Sequence, residues 1–527
     1  MNNSVIKLGL ERIRELMHSL GDPQDNLKFI HVAGTNGKGS TCSFISAMLA
    51  ANGYKVGMYT SPAVEDIREQ YTITRLVRCS ELPDEYLCED NNLRDEPKES
   101  ESLRACVGED KCSGQTNRID GNNVKKKYTG ISTDDAVLVS EWISDEDYAQ
   151  CLAEIYAAQM GRMAEYAQGE RSFDLRKADE FAESKKVDKY DAPSPFETET
   201  AIAFLYFYKE KCDYVVLETG MGGRDDATNI VTTTVLSILT SISEDHLGMI
   251  GNNITEIART KAGIIKPGVP VVMAKGIPEV EEVIKTVCRE KGSALKVVTE
   301  SNDNLKPSTP GSYQRDNATL AMEAMEMLSQ YDKDFSFDRN ISKEAISTVV
   351  IPYRMEKIYD DPMFYLDGAH NPDAALRLRE TLEEMLGIKE NDEQIKSAGH
   401  TESNELTEKK DRSMNMRIIF IMGMFKDKDY RKVIRIMAPL ANMIYTVQTP
   451  DSERALPSNE LREAILEEYP DIPRGNVNSV TIDDAVELSF DMASRYKANG
   501  EESCIVAFGS LSYLKYIKYI MSSIQVV

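Results

Sequence analysis

What most restricts the fold of this chain is a series of short apolar runs, rich in β-branched residues, that alternate with helix-like segments. In order they are KFIHVAG, KVGMYTS, CDYVVLETG, TTTVLSILTSI, VPVVMAKG and ALKVVTE. Hydrophobicity inside them is continuous rather than alternating, which marks strands covered on both faces. Such strands belong to a mainly parallel sheet, whose neighbours need crossover connections, usually helices. A second series, MFYLDGA, RIIFIMGM, MIYTVQ and CIVAFGS, follows VVIPYRMEKIYDD, where a proline interrupts the pattern. With 527 residues, 41% of them apolar, the chain is too long for one core. Two α/β domains are therefore expected, over residues 1–350 and 351–527.

Two stretches fit neither series. Residues from about 74 to 130 are polar and charged and carry Cys79, Cys88, Cys106 and Cys112; residues from about 390 to 416 are equally polar. Both read as surface insertions. The four cysteines contain no C-x-x-C pair, so their spacing argues against structural zinc. After the first insertion, Ser144 opens an S-x-x-D cap for a helix expected to carry Tyr148, Leu152, Ile155, Tyr156 and Met163 on one side.

The net charge is −25. A field of that sign disfavours nucleic acid and anionic membranes as partners, so anionic substrates need a local basic pocket. No basic-then-apolar leader opens the sequence, and no apolar run reaches the ~18 residues of a membrane span. Nine scattered cysteines read as reduced thiols. A cytoplasmic, monomeric enzyme is expected.

The segment HVAGTNGKGSTCS, residues 31–43, follows one apolar run and precedes a helix. Gly34, Thr35, Asn36, Gly37, Lys38, Gly39 and Ser40 form a turn in which glycines let backbone N–H groups face an anion at a helix N-terminus. Lys38 would add a point charge for the phosphates. A Walker A loop reads G-x-x-x-x-G-K-[ST]. Here Val32 stands at its first glycine and Gly39 at its magnesium-binding hydroxyl, so the loop lacks the usual metal ligand. The expected first domain is thus a P-loop-type ATPase domain, and the second a smaller, Rossmann-like α/β domain.

HVAGTNGKGST resembles the ATP loop of the folylpolyglutamate synthase/dihydrofolate synthase family, within the Mur-type amide ligases. YTSP at 59–62, FETET at 196–200, LETGMGGRDDATN at 217–229, TSISEDHLGMIG at 240–251, KAGIIKPG at 261–268, YLDGAHNPDAA at 365–375 and GMFKDKDY at 423–430 resemble further family blocks in family order. The resemblance covers most of the chain outside the two insertions. It implies two magnesium ions, one on Ser61 and Glu197 and a second on His246, oriented by a carbamate on Lys261. Magnesium prefers oxygen ligands, which suits the first pair better than it suits a histidine. Read without the resemblance, Lys261 is a lysine on a partly apolar helix with Ile257, Ile264 and Ile265 toward the core, and snorkelling to solvent is its simplest fate. The resemblance further implies Asn317 at the adenine, Arg354 at phosphate, Asp367 at the nucleotide sugar and His370 near the reacting phosphate or incoming glutamate.

The implied activity is ATP-dependent ligation of L-glutamate to the γ-carboxyl of a folate, or to dihydropteroate, through an acyl phosphate. The catalytic set would be Lys38, Lys261 and His370. Three departures stand out: Ala63 in SPAV, where many relatives have histidine, Tyr353 in PYR, where glycine is common, and the insertion after IREQYTI, in the region that in relatives helps form the pteroate pocket. The competing readings are a peptidoglycan-type amino-acid ligase, disfavoured because the loop begins about 30 residues in, and a nucleotide-binding regulator without catalysis.

Overall fold

In a computed structural model, residues 9–78, 116–119, 125–130, 136–168, 192–244, 248–387, 416–450 and 453–524 are described. The chain divides into two compact units. One holds the residues up to Ser308 together with Arg315–Val349, the other Thr309–Gln314 together with the residues from Val350 onward.

The first unit is built on a ten-stranded sheet: β1 (Phe29–Ala33), β2 (Val56–Tyr59), β3 (Tyr71–Arg78), β4 (Thr116–Ile119), β5 (Lys125–Gly130), β6 (Ala136–Trp142), β7 (Tyr214–Glu218), β8 (Thr234–Leu239), β9 (Val271–Ala274) and β10 (Leu295–Val298). Their order is β10-β9-β8-β1-β7-β2-β3-β6-β5-β4. From β10 to β2 every pairing is parallel. The two strands β1 and β7 are buried at every residue, as continuous apolar runs require. Phe29, Phe204, Phe207 and Tyr59 fill one face between this sheet and the helix Pro195–Lys209, while Ile257, Ile264, Ile265 and Ile284 fill another core.

The far side of this sheet overturns one expectation. Residues 74–130 are not wholly a surface insertion, because Thr74–Arg78 continue β3, and β4 and β5 extend the sheet. Strands β3, β6, β5 and β4 are all antiparallel neighbours. Thr74 pairs with Ser140, and their hydroxyls lie 3.0 Å apart. Antiparallel strands tolerate polar residues, so they lack the apolar run that revealed the parallel ones. The cysteines at 79, 88, 106 and 112 lie outside the described residues.

Ser144 caps the helix Asp145–Gln168 as expected, its hydroxyl accepting the Asp147 N–H at 2.9 Å. Ile155 is fully buried, but Tyr156 is 53% exposed. Consecutive helical residues project ~100° apart, so the two cannot share a face. The side chain of Met163 lies outside the described residues.

The second unit carries a six-stranded sheet: β11 (Glu356–Tyr359), β12 (Met363–Asp367), β13 (Met416–Met422), β14 (Met443–Thr446), β15 (Val477–Ser479) and β16 (Glu502–Phe508). The order is β11-β12-β16-β13-β14-β15, and only β11 runs antiparallel to its neighbour. Met416, expected at the end of the second insertion, begins β13; residues 388–415 lie outside the described residues. The segment 309–314, expected in the first domain, packs with the second unit. There Tyr313 is half-buried near Asp367, Arg354 and Arg377, and Gly311 approaches Thr381.

Candidate functional site

Strand β1 lies at the centre of its sheet, with β8 on one side and β7 then β2 on the other. A strand order that departs in both directions leaves a crevice at the carboxyl ends, where open α/β sheets bind ligands. The glycine-rich loop leaves β1 at that point and enters the helix Lys38–Ala51. Gly37 has φ 86°, and a Cβ there would sit 2.4 Å from Asn317 Oδ1. Gly34 is equally hemmed in, since its Cβ would lie 1.8 Å from Thr240 Oγ1. These glycines are required by close approach, not only by turn geometry.

The residues after β8 clasp the loop. Thr35 N–H donates to Ser241 O at 2.7 Å, and Thr35 Oγ1 donates to Ser243 O at 3.0 Å while accepting Ser243 N–H at 3.1 Å. Ser241 Oγ donates to the Asn36 carbonyl at 3.2 Å. Ser40 is buried in the first turn of the helix, and Asn317 is 8% exposed.

Three groups from neighbouring strands meet beside this loop. Glu218, the last residue of β7, is 5% exposed. Its Oε2 accepts the Ser61 N–H at 3.3 Å, and its Oε1 lies 4.0 Å from Lys38 Nζ. Lys38 also donates to Thr35 O at 3.2 Å. A Cβ on Gly39 would lie 3.7 Å from Glu218 Oε2. The missing Walker hydroxyl is thus matched by a carboxylate from the adjacent strand, next to Gly39 and Ser61.

Glu197, which the resemblance implied for the first ion, stands in the first turn of a helix. Its Oε2 accepts from Arg12 Nε at 3.0 Å and from Ser194 N–H at 2.7 Å, while Ser194 Oγ accepts the Glu197 N–H. This is a complete capping box at the start of the helix Pro195–Lys209. The S-x-x-E spelling of Ser194–Glu197 carries that signal in the sequence, while the buried Glu197 Oε1 has no hydrogen-bond partner among the described residues. Glu218 was missed; its signal is a first acidic residue ending the apolar run DYVVLE, at the carboxyl end of a buried strand.

Lys261 does not snorkel. It is 3% exposed, and its Nζ donates to the Gly34 carbonyl at 2.6 Å. The helix Ile254–Lys261 turns it inward together with Ile257, so the lysine reaches the phosphate-type loop itself. His246 lies outside the described residues. Beneath the loop, His31 is fully buried, with Nε2 3.0 Å from Thr228 Oγ1. The Thr228 hydroxyl donates to Asp226 Oδ1 at 2.5 Å, which leaves its lone pair to accept from a neutral His31 Nε2–H. Burial, helped by Lys266, pushes the His31 pKa down to about 3.

In the second unit Arg354, Asp367 and His370 gather at the carboxyl end of β12. Asp367 is 4% exposed and accepts N–H bonds from Met355 at 2.9 Å and Ala369 at 2.8 Å. Burial raises its pKa, with Arg354 and the two N–H donors pulling the other way. Arg354 lies across Gly368, whose Cβ would meet Nη1 at 2.1 Å. His370 Nδ1 is 2.8 Å from Gly368 O. Among the described residues, no group of three or more His, Cys, Asp or Glu forms a metal cage. Nor is any described helix long and apolar enough to cross a membrane.

Residues 174–326 match the Mur ligase middle domain. Over 87% of its length the chain is 29% identical to the dihydrofolate synthase/folylpolyglutamate synthase of Bacillus subtilis, covering 85% of that protein. It is 26% identical to the folylpolyglutamate synthase of Lacticaseibacillus casei, covering 85% of this chain and 82% of that one. The fold superimposes on Mycobacterium tuberculosis folylpolyglutamate synthase complexed with ADP and AMPPCP, with TM-score 0.68 and 22% identity, covering 97% of this chain and 95% of that one. It also matches the bifunctional enzyme of Yersinia pestis complexed with AMPPNP and a manganese ion, at TM-score 0.64 and 20% identity, over 100% of this chain and 95% of the other.

Proposed function

We infer that this chain is a Mur-type ligase of the folylpolyglutamate synthase/dihydrofolate synthase family, and from that premise propose that it joins L-glutamate to a folate γ-carboxylate with hydrolysis of ATP to ADP and phosphate. Dihydropteroate is proposed as an additional acceptor, on the strength of the paired activities named for the Bacillus subtilis relative. The observation that carries the reading is the convergence of Lys38, Ser61 and Glu218 at the carboxyl ends of adjacent parallel strands.

A carboxylate is a poor acyl donor, because oxide is a poor leaving group. Transfer of the γ-phosphoryl to a carboxylate oxygen yields an acyl phosphate and ADP. The glutamate amine then attacks the carbonyl carbon, phosphate departs, and the amine proton is lost to water. Lys38 and the N–H groups of the loop would hold the β- and γ-phosphates and take up charge as the phosphoryl moves. The oxygen donors of Ser61 and Glu218 suit magnesium, and we assign the first ion to Ser61 and Glu218 in place of Glu197. When bound, that ion would neutralise the phosphate charge and orient the γ-phosphoryl. His246 and a carbamate on Lys261 remain the proposed holders of a second ion. In the second unit, Arg354 is proposed to meet phosphate, Asp367 the nucleotide sugar, and His370 the reacting phosphate or glutamate; Asn317 is proposed to face adenine.

The test is glutamate-dependent phosphate release from ATP, with tetrahydrofolate, dihydropteroate and a peptidoglycan precursor as parallel acceptors. Turnover on either of the first two is expected. Turnover on the third alone would reassign the ligase, and ATP binding without release on any acceptor would indicate a regulator.

A further inference from the structure

Within the second unit, the peptide around Arg354 has an unusual conformation. Tyr353 has φ 55° and Met355 φ 45°, so two non-glycine residues flanking one arginine sit in the left-handed region. Both are buried, at 1% and 2% exposure. A strained backbone persists only where its surroundings fix it, and such strain gathers at functional positions.

What fixes it is visible. The Tyr353 N–H donates to Glu356 Oε2 at 3.0 Å, and the Tyr353 carbonyl accepts the Gly368 N–H at 2.8 Å. Met355 N–H is held by Asp367 Oδ2 at 2.9 Å. The Tyr353 ring lies beneath the Lys518 ammonium, 5.0 Å from the ring centroid, and the same ammonium pairs with Glu356 Oε1 at 2.8 Å. Lys518 comes from the helix Leu511–Ile524, whose first residue, Leu511, also faces Gly368. One cation therefore holds both the ring of Tyr353 and the carboxylate that holds its backbone. The arginine between these anchored peptides is directed across Gly368, beside Asp367 and His370.

We propose that Lys518, acting through the Tyr353 ring and Glu356, is a positioning residue that fixes the direction of the Arg354 guanidinium and so sets the affinity of this chain for the polyphosphate of its nucleotide. A glycine at 353 would adopt the same turn without strain but would offer no ring to clamp. The brace thus supplies, from the last helix, rigidity that a freer peptide would lack. An ammonium over an aromatic face contributes most where water is excluded, as over this buried ring. The proposal rests on the reading of Arg354 as a phosphate contact.

The experiment is a double-mutant cycle on the full chain with Lys518→Met and Arg354→Ala, measuring KM for ATP, kcat and apo thermal unfolding, with Lys518→Arg as the conservative variant. Lys518→Met keeps the aliphatic stem and should raise KM for ATP about tenfold while changing kcat little. Lys518→Arg should restore most of the affinity, and in the Arg354→Ala background Lys518→Met should add no further loss. Equal losses in both backgrounds, or a fall in unfolding temperature with KM unchanged, would overturn the brace. If Arg354→Ala alone leaves KM and kcat unchanged, it is the phosphate reading of Arg354 that fails, and the brace with it. Should Lys518→Met unfold, Tyr353→Leu, which keeps an apolar side chain but removes the π face, takes its place in the same cycle.

Discussion

At the scale of single residues, Glu197 and Glu218 are expected to respond differently to substitution. Glu197→Ala removes the partner of Arg12, whose side chain is only 11% exposed, and also opens the capping box. Loss of the charged hydrogen bond to Arg12 and of the capping box should lower the unfolding free energy by roughly 1–3 kcal/mol in urea titrations. Glu218→Gln keeps the shape of the site and loses its charge. It should leave the unfolding midpoint nearly unchanged and lower kcat by a factor on the order of 100 or more, read at saturating magnesium. Wild-type turnover in Glu218→Gln would remove this residue from the proposed metal shell. His31 supplies a pH prediction. Its folded pKa, about 3, lies below the ordinary histidine value of 6.5. Between those two values the unfolded chain binds a proton that the folded chain refuses. Stability should therefore fall as pH drops from 6.5 toward 3, and His31→Gln should flatten that part of the profile.

At the scale of elements, the phosphate-type loop is defined by where it has no room. Gly37 combines positive φ with a Cβ path blocked by Asn317, so Gly37→Ala should abolish nucleotide binding measured by calorimetry. Gly39 differs, since its Cβ would make only ordinary contact with Glu218 at 3.7 Å. Gly39→Ala should bind nucleotide nearly as well as wild type. Gly39→Ser, which restores the Walker hydroxyl, would place it against the Glu218 carboxylate and should reduce turnover. Restoration of activity above wild type would contradict the substitution of a strand carboxylate for the loop hydroxyl. The elements themselves were unevenly legible. Strands β1, β2, β7, β8 and β9 announce themselves because burial on both faces demands unbroken apolar runs, while the edge strand β10 is only half-buried. Strands β3 to β6 do not, because antiparallel pairs tolerate polar residues, as where the hydroxyls of Thr74 and Ser140 meet across β3 and β6, and need no apolar signature.

At the scale of the whole molecule, the chain comprises two units with separate cores, one around Phe204 and Tyr59 and another around Phe420 and Phe508. Calorimetric unfolding should accordingly depart from a single two-state transition, with a van't Hoff enthalpy below the calorimetric one. A nucleotide analogue should shift the transition of the first unit at least as far as its occupancy dictates.

The sequence by itself determined the α/β class, the parallel strands and the phosphate-type loop, because each is a local pattern: a run of apolar residues, or glycines and a lysine between a strand and a helix. It also carried the cap at Ser194–Glu197, in the S-x-x-E spelling. Only the tertiary structure decided that Glu218 stands beside Gly39 and Ser61, that Lys261 turns inward to the Gly34 carbonyl, and that residues 309–314 pack with the second unit. The physical reason is common to all three. Which carboxylate or ammonium reaches a loop depends on the register and order of strands far apart in the chain, and no local spacing encodes that order.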